Sequence, residues 1–184
     1  TNTIRIGSGA VLLPHYKPYK VAEVFNLLAT LFPGRIDIGI GRAPGGSAEA
    51  ANSLSDNFLQ EVWKMPEKVE KLVSLLEDNF HTEEGHVKLS ASPVPPLAPE
   101  AWLLGTGKKS ALLAAEKGLP YAFGHFMSDK DGTEIIKQYR ECYIARRGEK
   151  PQVLLTVSAI CAETTEKAEE LALSTLIWSL QKAN

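Results

Sequence analysis

The feature of this sequence that most constrains its fold is a repeated alternation of apolar strand patterns with amphipathic helix patterns. Strand patterns lie at residues 4–13, 36–41, 101–104, 121–123 and 153–161. Helix patterns lie at residues 18–31, 66–76, 108–117 and 133–146, and a last one begins after Thr164 or Thr165. Strands that are apolar on both faces and alternate with helices are typical of a parallel sheet covered by helices. About five strand–helix units therefore predict an α/β fold, either a barrel or an open doubly wound sheet.

Two long segments lack a regular pattern. Residues 45–57 are small and polar, which indicates a surface loop or a weak helical turn. Residues 81–99 contain four prolines and predict an irregular connection. A linker between two domains is the competing interpretation of this second segment, but the strand–helix alternation resumes directly after it. We therefore expect residues 1–184 to form a single domain.

Composition and charge disfavour several classes of function. The chain has 184 residues and a formal net charge of -2, and no apolar run approaches the roughly 20 residues of a membrane-spanning helix. Acidic and basic residues are interspersed, so we expect neither a nucleic-acid partner nor a membrane partner. No secretory signal is visible, and Cys142 and Cys161 lack the spacing of a disulfide framework or a zinc site. Buried thiols and a cytoplasmic location are expected.

The most informative motif is the glycine-rich segment 39–46, which lies where the second strand pattern ends and contains Arg42. This is the functional edge of an α/β fold. An arginine there can bind phosphate with a bidentate, permanently charged guanidinium, and neighbouring glycines allow backbone amides to approach the same anion. A surface arginine beside a flexible turn is the alternative interpretation. The motif is neither a P-loop nor a dinucleotide-binding fingerprint.

Two further strand ends are candidate ligand sites. Residues 104–110 contain two glycines, two hydroxyls and two lysines where a strand runs into a helix. Ordinary helix capping would explain a threonine or serine but not two glycines and two lysines, so an anion site is favoured. Residues 6–16 form a strand with small side chains in its middle, which leaves room for a flat ligand or reflects close packing. His15 and His125 each lie near a strand end, where a lone histidine is more often structural than catalytic.

Several segments, taken in order, closely resemble the luciferase-like flavin-dependent monooxygenases. They are residues 7–14, 22–23, 33–45, 101–106 and 114–120. The resemblance spans almost the whole chain and favours the barrel over the open sheet. It implies that the chain supplies the third to seventh strands of an eight-stranded TIM barrel and lacks the first two strands and the last one. Both ends of the sheet should therefore expose unpaired strand edges that need to be covered.

The resemblance also implies a cofactor and its site. Arg42 would contact the FMN phosphate, and Thr106, Gly107 and Ser110 would complete the phosphate site. The flavin ring would lie against a cis peptide between Gly9 and Ala10, and His125 would flank the flavin pocket. Gly41 stands where the light-emitting luciferases have a reactive cysteine, which argues against light emission.

The activity implied is oxidation of a small organic substrate by oxygen with reduced FMN, which a flavin reductase would provide. A homodimer that pairs through the helix at residues 18–31 is also implied. Two alternatives remain open: an F420-dependent oxidoreductase of the same fold, and a non-catalytic flavin-binding protein or inactive fragment.

Overall fold

A parallel sheet of five strands organises the protein. The computed structural model describes residues 3–82, 85, 87–128 and 130–182. The strands are β1 (Ile6–Leu12), β2 (Ile36–Gly41), β3 (Glu100–Gly105), β4 (Tyr121–Gly124) and β5 (Val153–Thr156). They lie in the order β1-β2-β3-β4-β5, and every neighbouring pair is parallel. A crossover therefore joins each strand to the next, and all five carboxyl ends lie at the same edge of the sheet.

Seven helices lie within the described ranges, and the first six lie in the connections between the strands. They are α1 (Pro18–Leu31), α2 (Ala48–Leu54), α3 (Phe58–Trp63), α4 (Met65–Leu76), α5 (Lys108–Glu116), α6 (Gly132–Glu141) and α7 (Thr165–Lys182). α1 packs against α4, and α5 packs against α6. The core lies between the sheet and these helices and includes Ile38, Ile40 and Leu103 from the strands. No helix in the described ranges is both long enough and apolar enough to span a membrane.

The bounds predicted for α1 and β2 match the structure, whereas residues 45–57 are more ordered than expected. Two short helices, α2 and α3, lie in and directly after this polar segment. Ser47 accepts a hydrogen bond from the Ala50 amide, and Asn57 accepts one from the Gln60 amide. Both are helix N-caps, which supply acceptors for amides that have no partner inside the helix. Thr164 caps α7 in the same way, as the sequence predicted.

The helix predicted at residues 133–146 ends earlier, at Glu141. The chain beyond it is held by other partners: the Ile144 amide donates to the Ala115 carbonyl oxygen, and Arg146 forms ion pairs with Glu70 and Glu77. These contacts draw residues 142–146 away from the α6 axis. They explain why a periodic pattern alone overestimated the length of the helix.

The strand predicted at residues 153–161 was also too long, because β5 ends at Thr156. Its only neighbour in the described part of the sheet, β4, ends at Gly124, which pairs with Thr156. Val157 has no strand beside it and is 60% exposed. The expectation of buried thiols is wrong for the same local reasons. Cys161 follows the end of the paired strand and Cys142 follows the end of α6, and both are exposed and free.

β1 and β5 form the two edges of the sheet, as the resemblance implied. Within the described residues the two strands do not pair with each other, so the sheet is open there. β1 also leaves apolar surface uncovered, since Ile4 and Ile6 are more than half exposed. That these edges are covered in the protein stays a prediction.

β1 and β2 approach each other unusually closely in the middle of their pairing. The register shifts between Ser8 and Val11, and the Gly9–Ala10 peptide within this shift is cis, as the resemblance implied. Ser8 Oγ donates to the Gly39 carbonyl oxygen and accepts from the Gly39 amide, each at 3.1 Å. A Cβ at position 39 would lie 2.1 Å from the Ser8 carbonyl oxygen. Only glycine fits at this position without movement of the backbone.

We therefore expect Gly39→Ala to destabilise the fold by more than about 2 kcal/mol, because backbone would have to move to admit the methyl group. Gly107→Ala is the control, since a Cβ there meets nothing within 4 Å. Its cost should stay below about 1 kcal/mol. Urea unfolding followed by circular dichroism measures both. Equal stability of the two variants would show that the sheet tolerates the methyl group.

α6 contributes a buried phenol to the core. Tyr139 is fully buried, and its hydroxyl donates to the Leu119 carbonyl oxygen at 3.0 Å. Burial raises the pKa of Tyr139 from its usual 10.0 to about 12. The neutral form therefore stabilises the fold fully below pH 10, and this contribution is lost as the pH rises from 10 to 12.

Tyr139→Phe should lower the free energy of unfolding at neutral pH by about 1 kcal/mol, because a buried hydrogen bond is lost. The variant should also lose less stability than the wild type as the pH rises from 10 to 12, since it has no phenol to ionise. Unfolding in urea at a series of pH values measures both effects. Identical losses in the two proteins above pH 10 would contradict this role of Tyr139.

Candidate functional site

A cavity of about 250 Å³ opens at the carboxyl ends of β2 and β3. Both segments that the sequence marked as anion sites reach it: Arg42 follows β2, and Lys109 and Ser110 belong to the first turn of α5. The remaining wall is mostly apolar and comes from the two strands, α5 and the α3–α4 corner. It consists of Ile40, Gly41, Val62, Trp63, Met65, Pro66, Leu103, Leu104 and Leu113. The structure thus brings the two candidate motifs together into one site.

Arg42 is the first residue after β2 and is exposed. Burial raises the pKa of the Tyr121 phenol on β4. The hydrogen bond with Ser110 and the nearby charge of Arg42 offset part of this rise. Arg42 and the first turn of α5 line the same cavity. An arginine in this position presents several fixed donors to an anion in the cavity.

The amino end of α5 supplies the second group of donors. The helix begins at Lys108, with Gly107 in extended conformation as its N-cap. The first amides of an α-helix have no intrahelical acceptor, and they carry the positive end of the helix dipole. Lys108 and Lys109 are exposed and add positive charge at this end. Together with Arg42, this arrangement favours a ligand with a phosphate group.

Ser110 reaches the site differently from the sequence-based expectation. It is 7% exposed, and its hydroxyl donates to the Gly107 carbonyl oxygen at 2.7 Å. The Tyr121 hydroxyl lies 3.1 Å from Ser110 Oγ. Gly105 makes this packing possible, because a Cβ there would lie 2.2 Å from Ser110 Oγ. The Ser110 side chain therefore braces the turn, and its backbone amide remains the group that can face an anion.

Two residues of this site were missed from the sequence. Tyr121 lies in a buried strand pattern. Its hydroxyl, which needs a polar partner when buried, is the signal in the sequence that could have indicated its contact with Ser110. Trp63 is 81% exposed although it lines the cavity. It was overlooked because no helix was predicted before Pro66. A large aromatic residue at the end of a capped helix is the signal that could have identified it.

The expected ring site at Gly9 and Ala10 lies on β1, next to β2. Ala10 is in contact with β2, since a Cβ at Gly41 would lie 3.1 Å from the Ala10 Cβ. A Cβ at Gly9, in contrast, would meet nothing within 4 Å. The backbone at Gly9 is therefore open to a flat ligand. This geometry fits the implied flavin ring.

Thr106 and His125 lie near the cavity but do not line it. The Thr106 carbonyl oxygen accepts from Ser128 Oγ at 3.4 Å, and the Thr106 methyl group faces Gly124. His125 begins a 3-10 turn directly after β4, is exposed, and packs edge-on against Phe123. Both residues belong to the same carboxyl-end face as Arg42. Among the described residues, no three His, Cys, Asp or Glu side chains form a group able to hold a metal ion.

Comparison with known proteins assigns this arrangement to a family. Residues 1–184 match the luciferase-like monooxygenase family. The chain is 41% identical over 182 residues to the uncharacterized protein YceB of Bacillus subtilis, covering 98% of this chain and 55% of that protein. Other curated relatives are named as monooxygenases. The chain spans about half the length of the curated relatives it matches.

Solved structures show the same relationship. The structure of apo-MsnO8 is 36% identical, superimposes with a TM-score of 0.80, and is matched over 92% of this chain and 49% of its own. The oxygenating constituent of 3,6-diketocamphane monooxygenase from Pseudomonas putida, solved with FMN, is 23% identical with a TM-score of 0.62, over 93% of this chain and 52% of its own. The five parallel strands correspond to part of the TIM barrel of these structures. Because the family model matches residues 1–184, the chain belongs to the luciferase-like monooxygenase family.

Proposed function

We propose that this chain forms the FMN-binding part of a monooxygenase that uses reduced FMN and oxygen to oxidise a small organic substrate. The observation that carries the proposal is the convergence of Arg42 and the amino end of α5 on one cavity at the carboxyl ends of adjacent strands. The family assignment and the FMN in a structure of the same fold support it.

The geometry suits the phosphate end of FMN in particular. A phosphate has several acceptor oxygens, which match the fork of the Arg42 guanidinium and the amides of residues 108–110. Because β1 lies on the other side of β2, the open backbone at Gly9 is available to the ring of the same ligand. Thr106, Gly107 and His125 complete the proposed binding residues at the rim.

Reduced flavin supplies the electrons that activate oxygen, and the protein contributes orientation and exclusion of water. Arg42 and α5 would hold the phosphate, and the apolar side chains of Trp63 and Leu113 would line the cavity beside it. We assign no catalytic residue. The activity is proposed for the whole protein, with a flavin reductase as the source of reduced FMN. F420 is the alternative cofactor, since a more distant relative is named as F420-dependent.

Arg42→Ala should weaken FMN binding by about 2 to 4 kcal/mol, because the phosphate would lose a charged, bidentate partner. Binding of riboflavin, which lacks the phosphate, should change little. Arg140→Ala is the matched control, since Arg140 is an exposed arginine on α6. Flavin fluorescence titration of the full chain gives the dissociation constants.

An unchanged FMN dissociation constant in Arg42→Ala would remove Arg42 from the site. Saturable binding of F420 without binding of FMN would favour the alternative reductase. Tight FMN binding without oxygen consumption by the full-length protein, assayed with reduced FMN and a panel of aldehydes, would favour a non-catalytic flavoprotein.

We further propose that α1 forms part of a homodimer interface. The helix buries Val21, Ala22 and Ala29 against its own domain. Its other side exposes apolar residues, with Leu27 48% and Leu31 61% accessible. Burial against the domain accounts for only one side of the helix, which leaves the second side for a partner subunit.

Leu27→Glu should therefore convert a dimer into a monomer, because a charge would be buried at the subunit contact. Leu173→Glu on α7 is the control, since Leu173 is 57% exposed and lies on a different helix. Sedimentation velocity at micromolar concentration distinguishes the two states. A monomeric wild-type protein would count decisively against the interface.

A further inference from the structure

We propose that His15 is a positioning residue for the phosphate-binding loop, which we define as residues 42–46. His15 Nε2 lies 2.9 Å from the Pro44 carbonyl oxygen. A carbonyl oxygen only accepts, so Nε2 carries the hydrogen and donates it. Pro44 is two residues from Arg42, and the bond therefore restrains the loop from which Arg42 reaches the cavity. The inference rests on the proposed role of Arg42 and adds a residue outside the cavity to it.

His15 is itself held in a fixed position. It ends the 3-10 turn Leu13–His15, whose first two residues, Leu13 and Pro14, are buried. The imidazole stacks on the Phe58 ring, with the centroids 5.0 Å apart and the planes at 24°. Phe58 begins α3, the helix that ends at Trp63 in the cavity wall. The histidine ring is therefore clamped between the end of β1 and the start of α3, and it acts as a rigid donor.

The phosphate-binding loop has little else to hold it. β2 pairs with β1 up to Gly41, and the next capped element begins after Ser47. Apart from the hydrogen bonds between the strands, the bond from His15 is the one hydrogen bond to residues 42–46 within the described part of the chain. All five residues of the loop are exposed. Ordering such a loop when a ligand binds costs conformational entropy, and an internal contact that orders the loop beforehand reduces this cost.

The turn of the loop explains how the Pro44 carbonyl oxygen reaches His15. Gly45 has a φ of +82°, and a Cβ there would lie 2.5 Å from Leu12 Cδ1. The loop thus turns tightly over the end of β1. This turn directs the Pro44 carbonyl oxygen toward His15, which follows β1 by three residues. Loss of the donor would free the loop without removing any group that touches the phosphate.

Two substitutions separate the hydrogen bond from the stacking. His15→Phe keeps an aromatic ring against Phe58 but removes the donor, whereas His15→Gln places an amide N–H near the position of Nε2. His81→Phe is the matched control, because His81 Nδ1 contacts the Asn79 carbonyl oxygen in the exposed segment far along the chain from the loop. Each variant is made in the full chain, alone and in the Arg42→Ala background.

We expect His15→Phe to raise the FMN dissociation constant about three- to tenfold, as the loss of one hydrogen bond implies. Riboflavin binding should stay unchanged, since that ligand does not need the loop. His15→Gln should restore most of the FMN affinity. In the Arg42→Ala background the effect of His15→Phe should disappear, because His15 acts through Arg42.

Amide hydrogen exchange of Ala43, Gly45 and Gly46 without ligand provides a second measurement. Exchange should be faster in His15→Phe than in the wild type, His15→Gln or His81→Phe. Equal weakening of FMN and riboflavin would show a general packing role and overturn the inference, as would unchanged FMN affinity. If the wild type binds no FMN, the proposed function fails. Amide exchange that is the same in His15→Phe and the wild type would separately exclude His15 as the restraint on the loop.

Discussion

The parallel pairing of β2 with β3 is the constraint on which the candidate site depends. Its register, from Asp37 opposite Glu100 to Ile40 opposite Leu103, makes both strands end at nearly the same level. Arg42 and the start of α5 then leave the sheet side by side. Because a one-residue slip would reverse the faces of the buried side chains, the core residues hold this register firmly. The position of the candidate site therefore follows from the packing of apolar core residues.

Much of the fold could be predicted from the sequence, because the signals were local. α1 begins at Pro18 and ends before Pro33–Gly34, and β2 is a short alternating run before a glycine-rich turn, so both had clear limits. β5 could not be delimited in this way. Its β-branched residues favour a strand as far as Cys161, but a strand also needs a neighbour, and β4 ends at Gly124. The limit of β5 is a tertiary property.

The same distinction applies to the candidate site. Arg42 and the amino end of α5 were predicted because glycine-flanked charges at strand ends are visible in the sequence. The brace between Ser110 and Tyr121 joins residues 11 positions apart in different elements, and the contact of His15 with Pro44 spans 29 positions. Neither pairing leaves a local pattern. A lone histidine after a strand was judged structural, and its partner in the phosphate-binding loop became apparent only in three dimensions.

The open edges of the sheet have a consequence for self-association. Two copies related by a two-fold axis perpendicular to the sheet could join β1 to β1, and that junction would be antiparallel. A parallel junction would instead place β5 of one copy against β1 of the next. Such a contact is heterologous, and unless its rotation closes a ring it repeats without limit. Repeated β5–β1 contacts between the described strands would therefore build a linear polymer, and covering either edge would stop its growth.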